Sequence, residues 1–133
     1  MAGNFEGIKK QKFGIEIELT GITRAEAAEA MAILFDTSYN HYGGSYDRYD
    51  VRDVKGRNWK IVYDSSIHKV NHDRCPTTSQ KYAVEVVSPI FQSCRKLYEC
   101  CEKLVVSLVR NMVVVFICIL MVSRIMRKLY EIW

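Results

Sequence analysis

Acidic residues stand inside two segments of this chain that otherwise have the composition of buried strands. Residues 13–19 read FGIEIEL and residues 84–87 read VEVV, so Glu16, Glu18 and Glu85 fall between apolar neighbours. An ionised carboxylate in an apolar environment is very costly unless it is paired. A fold that uses both segments as strands therefore needs a cation or a basic ligand at these three glutamates.

The spacing of Glu16 and Glu18 places both side chains on one face of a strand, because side chains alternate along a strand. Gly14 shares that face, and the opposite face is apolar: Ile15, Ile17 and Leu19. Paired carboxylate oxygens suit Mg²⁺ or Mn²⁺. The alternatives are solvated acids on a half-exposed edge strand, and for Glu85 a salt bridge with a neighbouring Lys or Arg.

The first elements are predicted by local patterns. An alternating segment predicts a strand over residues 12–19. Thr23 and Glu26 then form an S/T-x-x-E capping box, so a helix begins near Arg24. Its alanine-rich continuation favours a helix that ends near Phe35 or Asp36.

The remaining elements are more irregularly spaced. Residues 39–49, rich in Tyr, Gly and Asp, are predicted as a loop that leads into a strand. A hairpin is predicted over residues 49–63, followed by a long loop over residues 65–80. A buried strand closed by Pro89 follows at residues 82–87, and a second helix at residues 95–108.

Three pieces of the chain, in this order, resemble the amidoligase family. They are FGIEIE at residues 13–18, WKIVYDSS at residues 59–66 and EVVSP at residues 85–89. Amidoligases open with an F-G-x-E-x-E strand and continue with W-x-x-x-x-D-x-S and E-x-V-S-P. The family is a branch of the carboxylate–amine ligase superfamily, which includes glutamine synthetase and glutamate–cysteine ligase. The resemblance covers about residues 10–90.

The resemblance implies an α+β fold with a partial curved antiparallel sheet of the glutamine synthetase type and flanking helices. It also implies ATP and Mg²⁺ as cofactors, and amide formation between a carboxylate and an amine substrate, peptide or amino acid, through an acyl-phosphate. Glu16, Glu18 and Glu85 would be metal ligands, and Asp64 a catalytic contact to substrate or nucleotide. From the residues alone, Asp64 equally suits capping of a turn.

The charge distribution and the cysteines limit which other functions the chain can have. Residues 1–89 hold 12 Lys and Arg against 12 Asp and Glu, whereas residues 90–133 hold 7 against 3. The excess cations lie among Val, Ile, Leu and Met, which argues against nucleic-acid binding. The five cysteines include no C-x-x-C pair and the N-terminus is polar, so we expect reduced thiols in the cytoplasm, with Cys100 and Cys101 packing a helix. The three histidines, His41, His68 and His72, are expected at the surface.

The C-terminal segment is open to several interpretations. Residues 112–122 are uniformly apolar and are followed by Arg124, Arg127 and Lys128. They suit a buried strand or helix, or, extended to residues 104–123, a membrane helix that would carry Arg110 near its middle. In the last case the chain would be a small membrane-associated or partner-binding protein.

A further hypothesis concerns the reading frame. Amidoligases carry a C-G-x-H-x-H motif after the E-x-V-S-P strand and a helix, where this chain reads VVVFICILM at residues 113–121. One choice of synonymous codons for this segment, GTT GTG GTA TTC ATA TGC ATA TTG ATG, encodes Cys-Gly-Ile-His-Met-His-Ile-Asp when it is read from its third base. The segment is thus compatible with a frame change between Pro89 and Val113.

We therefore expect two parts. Residues 1–90 form the N-terminal part of an amidoligase-like domain, and residues 91–133 form a helix followed by an apolar, basic tail. The expected function is that of a truncated ATP-dependent amidoligase that is inactive alone.

Overall fold

The computed structural model describes residues 12–109 and 113–121 and contains a six-stranded antiparallel sheet. The strands are β1 (Phe13–Thr20), β2 (Tyr39–Gly43), β3 (Arg48–Arg52), β4 (Asn58–Val62), β5 (Val84–Val87) and β6 (Val113–Met121). Their order across the sheet is β2-β3-β4-β5-β1-β6. Together with two helices, this confirms the predicted α+β class with an antiparallel sheet and flanking helices.

Strand β1 follows the two-residue alternation that its sequence predicts. Ile15, Ile17 and Leu19 are buried, whereas Glu16 and Glu18 are only partly covered. Strand β1 lies between β5 and β6 and pairs antiparallel with both. The apolar face of the sheet is therefore the one that faces the core.

Both helices pack on this apolar face. Helix α1 (Arg24–Leu34) contacts β3 and β4, helix α2 (Cys94–Val109) contacts β1 and β6, and the helices contact each other. The expected capping box starts α1: the Thr23 hydroxyl accepts from the Glu26 backbone N–H at 3.2 Å, and the Glu26 carboxylate accepts from the Thr23 N–H at 2.8 Å. Trp59, Met31, Leu97 and Leu104 are among the fully buried side chains of the core.

The prediction of a loop over residues 39–49 is wrong, because the first half of this stretch forms β2, which pairs with β3 as a hairpin. Its aromatic residues favour an extended strand. The reversal of direction falls on residues with positive φ, namely Gly43 and Gly44 (70° and 75°) and Asp47 (43°). Gly and Asp tolerate this conformation, so the Gly and Asp residues that suggested a loop mark the turn and its borders.

The predicted β3–β4 hairpin is confirmed. Its turn is organised by the buried Asp53 carboxylate, which accepts hydrogen bonds from the backbone N–H groups of Lys55 and Arg57, at 2.9 and 3.0 Å. The same carboxylate accepts from the Arg57 guanidinium at 2.7 Å and from the Trp59 indole at 3.2 Å. The turn is thereby fixed to the core.

The alternative of one apolar helix over residues 104–123 is wrong. Helix α2 ends at Val109, and β6 begins at Val113 and pairs with β1, so this segment forms a helix followed by a strand. Within the described residues, no helix has the length and apolarity needed to cross a membrane.

Candidate active site

The sheet face opposite the helices carries the polar residues of the central strands. The ladder registers put them in two rows that run across β4, β5 and β1. One row is Lys60, Val87 and Glu16, and the other is Val62, Glu85 and Glu18. Side chains at paired positions in adjacent strands lie on the same face, so the three candidate glutamates share one surface.

The structure places the three glutamates at neighbouring positions of the sheet. Glu18 and Glu85 are register partners, and Glu16 is two residues from Glu18 on the same strand face. Charge repulsion from Glu16 and hydrogen bonding between the Glu16 and Glu85 side chains are two of the causes that raise the pKa of Glu85. Two carboxyl groups can share a hydrogen bond only if one of them carries a proton.

The pKa of Glu85 is raised by its position among these acids. Partial burial raises it most, and the negative charges of Glu16 and Asp64, the hydrogen bond to Glu16 and the charge of Glu18 raise it further, to about 7. Like charges held close together disfavour ionisation, and a nearby cation would reverse the effect. Strongly perturbed carboxyls of this kind occur often at functional sites.

Asp64 lies at the edge of this cluster, just after β4. Its carboxylate accepts hydrogen bonds from the Ser66 backbone N–H and hydroxyl, each at 2.9 Å. The expectation that Asp64 caps a turn is met, because this is the geometry of an Asx turn. The same charge raises the pKa of Glu85, so the turn holds Asp64 near the glutamates.

The cluster has no basic partner among the described residues. No ion pair there joins Glu16, Glu18, Asp64 or Glu85 to a Lys, Arg or His. The salt bridge considered for Glu85 is therefore not formed within this part of the chain. The unpaired negative charge and the oxygen donors suit a hard divalent cation.

The glutamates do not form a closed coordination shell as they stand. Among residues 12–109 and 113–121, no three His, Cys, Asp or Glu side chains are grouped closely enough to hold a metal ion between them. The donor chemistry nevertheless fits Mg²⁺, because all of the side chains in the cluster are carboxyl groups.

Ser88 fixes β5 to β1 next to the cluster. Its buried hydroxyl accepts a hydrogen bond from the Ile15 N–H at 2.8 Å and donates one to the Pro89 carbonyl at 2.9 Å, while its own N–H donates to the Ile15 carbonyl at 2.9 Å. Sequence patterns had shown Ser88 only as part of the E-x-V-S-P piece. Its role is to set the register that aligns Glu18 with Glu85.

The sequence patterns did not single out the basic residues on the same face. Lys60 precedes Val62 and Asp64 at two-residue intervals, and Asp50 on β3 pairs with Lys60 in the ladder. Arg48 binds Asp50 through two hydrogen bonds of 2.6 Å each. The alternation Lys60–Val62–Asp64 was the available signal, and it becomes informative only when the strand is aligned with β5.

The three histidines, Cys75 and Cys101 belong to other parts of the chain. His41, His68 and His72 are exposed, as expected. Cys101 is part of the helix core and burial raises the pKa of its thiol to about 12, which agrees with a packing role. Cys75 is exposed.

Comparison with known proteins gives one match. The model of the family described as "Putative amidoligase enzyme" matches residues 9–116, an interval that contains β1 to β5 and both helices and reaches the first residues of β6. No curated protein and no solved structure matches the chain.

Proposed function

Because this chain belongs to the amidoligase family, with which residues 9–116 align, we propose that its sheet is built for ATP-dependent ligation of a carboxylate to an amine. In the first step a carboxylate oxygen of the substrate attacks the terminal phosphorus of ATP, and ADP leaves. In the second step the amine nitrogen attacks the acyl carbon and loses a proton, and inorganic phosphate leaves. The product is an amide.

In this proposal Glu16, Glu18 and Glu85 hold Mg²⁺ on the helix-free face. The ion would neutralise phosphate charge during transfer. Asp64, fixed by its turn, contacts the substrate or the nucleotide at the edge of the same face. The site is cytoplasmic, where ATP and Mg²⁺ are available.

The observation that carries this proposal is the convergence of the glutamates. Three carboxylates from two separate family motifs meet on one exposed sheet face, without a basic partner among the described residues. Such an arrangement raises the pKa of Glu85 and is costly for a protein at neutral pH unless a cation binds there.

Strand β6 bears on whether the chain completes the reaction. Its register places Cys118 opposite Glu16 and Phe116 opposite Glu18. In the second reading frame of the codons given above, histidine codons fall at or next to these two positions. We infer that the frame changes ahead of β6 and that the 133-residue chain is therefore inactive as a ligase. The family match runs through α2 and into the first residues of β6, so a change of frame would lie at the very end of the interval between Pro89 and Val113 or just after it.

The test is to sequence the gene again, translate every frame beyond the α2 codons and assay the re-read product. We expect the second frame to contain a Cys-Gly-x-His-x-His stretch. We also expect its product to release ADP and to form hydroxamates from a panel of carboxylates when hydroxylamine replaces the amine. Glu85→Gln should abolish this activity, and Glu102→Gln, an exposed change on α2, should not.

Two results would contradict the proposal. One is robust ligation by the 133-residue chain itself, which would refute its inactivity. The other is ADP release by the re-read product that survives Glu85→Gln, which would remove the glutamates from the reaction.

A further inference from the structure

The helix-free face has a basic side as well as an acidic one. The acidic side consists of Glu16, Glu18 and Glu85 on β1 and β5, and the basic side consists of Lys60 on β4 and Arg48 on β3. We propose that Lys60 and Arg48 form an oxyanion subsite, which binds a phosphoryl or carboxylate group of a ligand whose metal ion sits on the glutamates. This inference rests on the proposed function and adds two residues to it.

The strand pairing of Lys60 places it on the same sheet face as Glu16. It pairs with Asp50 on one side and with Val87 on the other, and Val87 in turn pairs with Glu16. Its side chain is exposed, and it forms no ion pair within the described residues. The ammonium group is therefore available to an external anion.

Arg48 is held in place without using all of its donors. Its Nε and Nη2 atoms donate to the two oxygens of Asp50, each at 2.6 Å, and its guanidinium lies over the Tyr42 ring at 5.3 Å. A guanidinium carries five N–H donors. Three therefore remain, and the side chain is 40% exposed.

Asp50 orients Arg48 and is not itself available to a ligand. Both of its oxygens accept from Arg48, and one also accepts from the Asn58 amide at 2.8 Å. Two cations against one saturated carboxylate leave a net positive charge on this part of the face.

The distance between the two sides suits a bridging anion. Adjacent strands are about 4.8 Å apart. Lys60 on β4 and Glu16 on β1 are two strands apart. Arg48 on β3 and Glu85 on β5 are also two strands apart, so the backbones of each pair are separated by a gap of about 10 Å. The half-buried Val62 and Val87 form its floor. A metal–oxygen bond of about 2.1 Å, the phosphate group itself and a hydrogen bond of about 2.8 Å together span much of that gap.

The experiment compares Lys60→Gln with Lys55→Gln in the full 133-residue chain. Lys55 is an exposed lysine in the β3–β4 turn, so both variants lose one surface charge, and neither is expected to affect folding. Calorimetric titrations at pH 8 with Mg²⁺ use tripolyphosphate in one arm and glutarate in the other. Mn²⁺ binding is measured separately for all three proteins by electron paramagnetic resonance.

We expect Lys60→Gln to weaken anion binding about tenfold or more and Lys55→Gln to weaken it by no more than about twofold, because a charged hydrogen bond is lost only in the first. Loss confined to tripolyphosphate assigns the subsite to phosphoryl groups, and loss confined to glutarate assigns it to the carboxylate substrate.

Equal affinities of the two variants, or no binding of either anion to the unaltered chain, would overturn the inference. If Mn²⁺ still binds in that case, the metal site stands and only the oxyanion subsite fails. If Mn²⁺ does not bind either, the proposed function fails with it.

Discussion

At the scale of single residues, the carboxyl group of Glu85 is the most informative group of the site. Its neighbours on the sheet are Glu18 in register and Glu16 through a hydrogen bond, with Asp64 nearby. The sequence indicates that an acid lies in an apolar strand, but only strand pairing determines that other acids surround it. The sequence thus shows where an energetically unfavourable acid lies, but it does not show the neighbouring acids that make its ionisation unfavourable.

This crowding predicts a pH dependence of stability. The pKa of Glu85 is raised in the folded state, from an ordinary value of 4.5 to about 7. The folded chain therefore holds this proton more tightly than the unfolded chain does. The stabilising contribution of the protonated group is complete below about pH 4.5 and is lost as the pH rises through 7.

Glu85→Gln removes this ionisation. We expect the variant to melt a few degrees above the unaltered chain at pH 8 without divalent cations, and close to it at pH 4.5. Thermal unfolding at both pH values measures the effect, and Glu102→Gln serves as the exposed control. A variant that is no more stable than the unaltered chain at pH 8 would show that the acids do not repel one another.

At the scale of elements, alternation predicted the faces of β1 and the capping box predicted the start of α1. These are local signals, and the residues that carry them, such as Thr23 and Glu26, also make the contacts. Strand β2 was missed because Tyr39 and His41 lie among turn-forming residues, and its strand form depends on pairing with β3. Pairing between distant segments leaves no such local signal.

Ser88 shows how an element can be fixed by one hydroxyl. Replacing it with alanine leaves the buried Ile15 N–H without its side-chain acceptor, which should lower the free energy of unfolding by about 1–2 kcal/mol. Urea denaturation measures the change. Ser79→Ala is the control, since the Ser79 hydroxyl makes no hydrogen bond within the described residues, and its stability should be unchanged. Equal stabilities of the two variants would remove Ser88 from the register of β1 and β5.

At the scale of the whole molecule, motif order led to the family and the fold class, whereas the sheet order was not predictable from spacing. Strand β6 crosses to the far side of β1, so residues as far apart in the sequence as Phe13 and Met121 become neighbours. The acidic and basic sides of the open face likewise come from β1, β5, β4 and β3. A site assembled from four strands becomes visible only once the sheet is assembled.

The register of β6 makes the reading-frame proposal testable at the protein level. Phe116→His with Cys118→His places imidazoles opposite Glu18 and Glu16, and we expect it to tighten Mn²⁺ binding about tenfold or more. Ile117→His with Ile119→His, opposite Ile17 and Ile15, is the matched control and should bring no gain. Equal affinities for both double variants would argue against a histidine pair at this place.

The central claim is that Glu16, Glu18 and Glu85 bind a divalent cation, and Mn²⁺ titration followed by electron paramagnetic resonance at pH 8 tests it most directly. The account predicts saturable binding to the 133-residue chain. It predicts that Glu16→Gln with Glu85→Gln abolishes this binding and that Glu102→Gln leaves it intact. Binding that persists in the double variant, or that never saturates in the unaltered chain, would contradict the account.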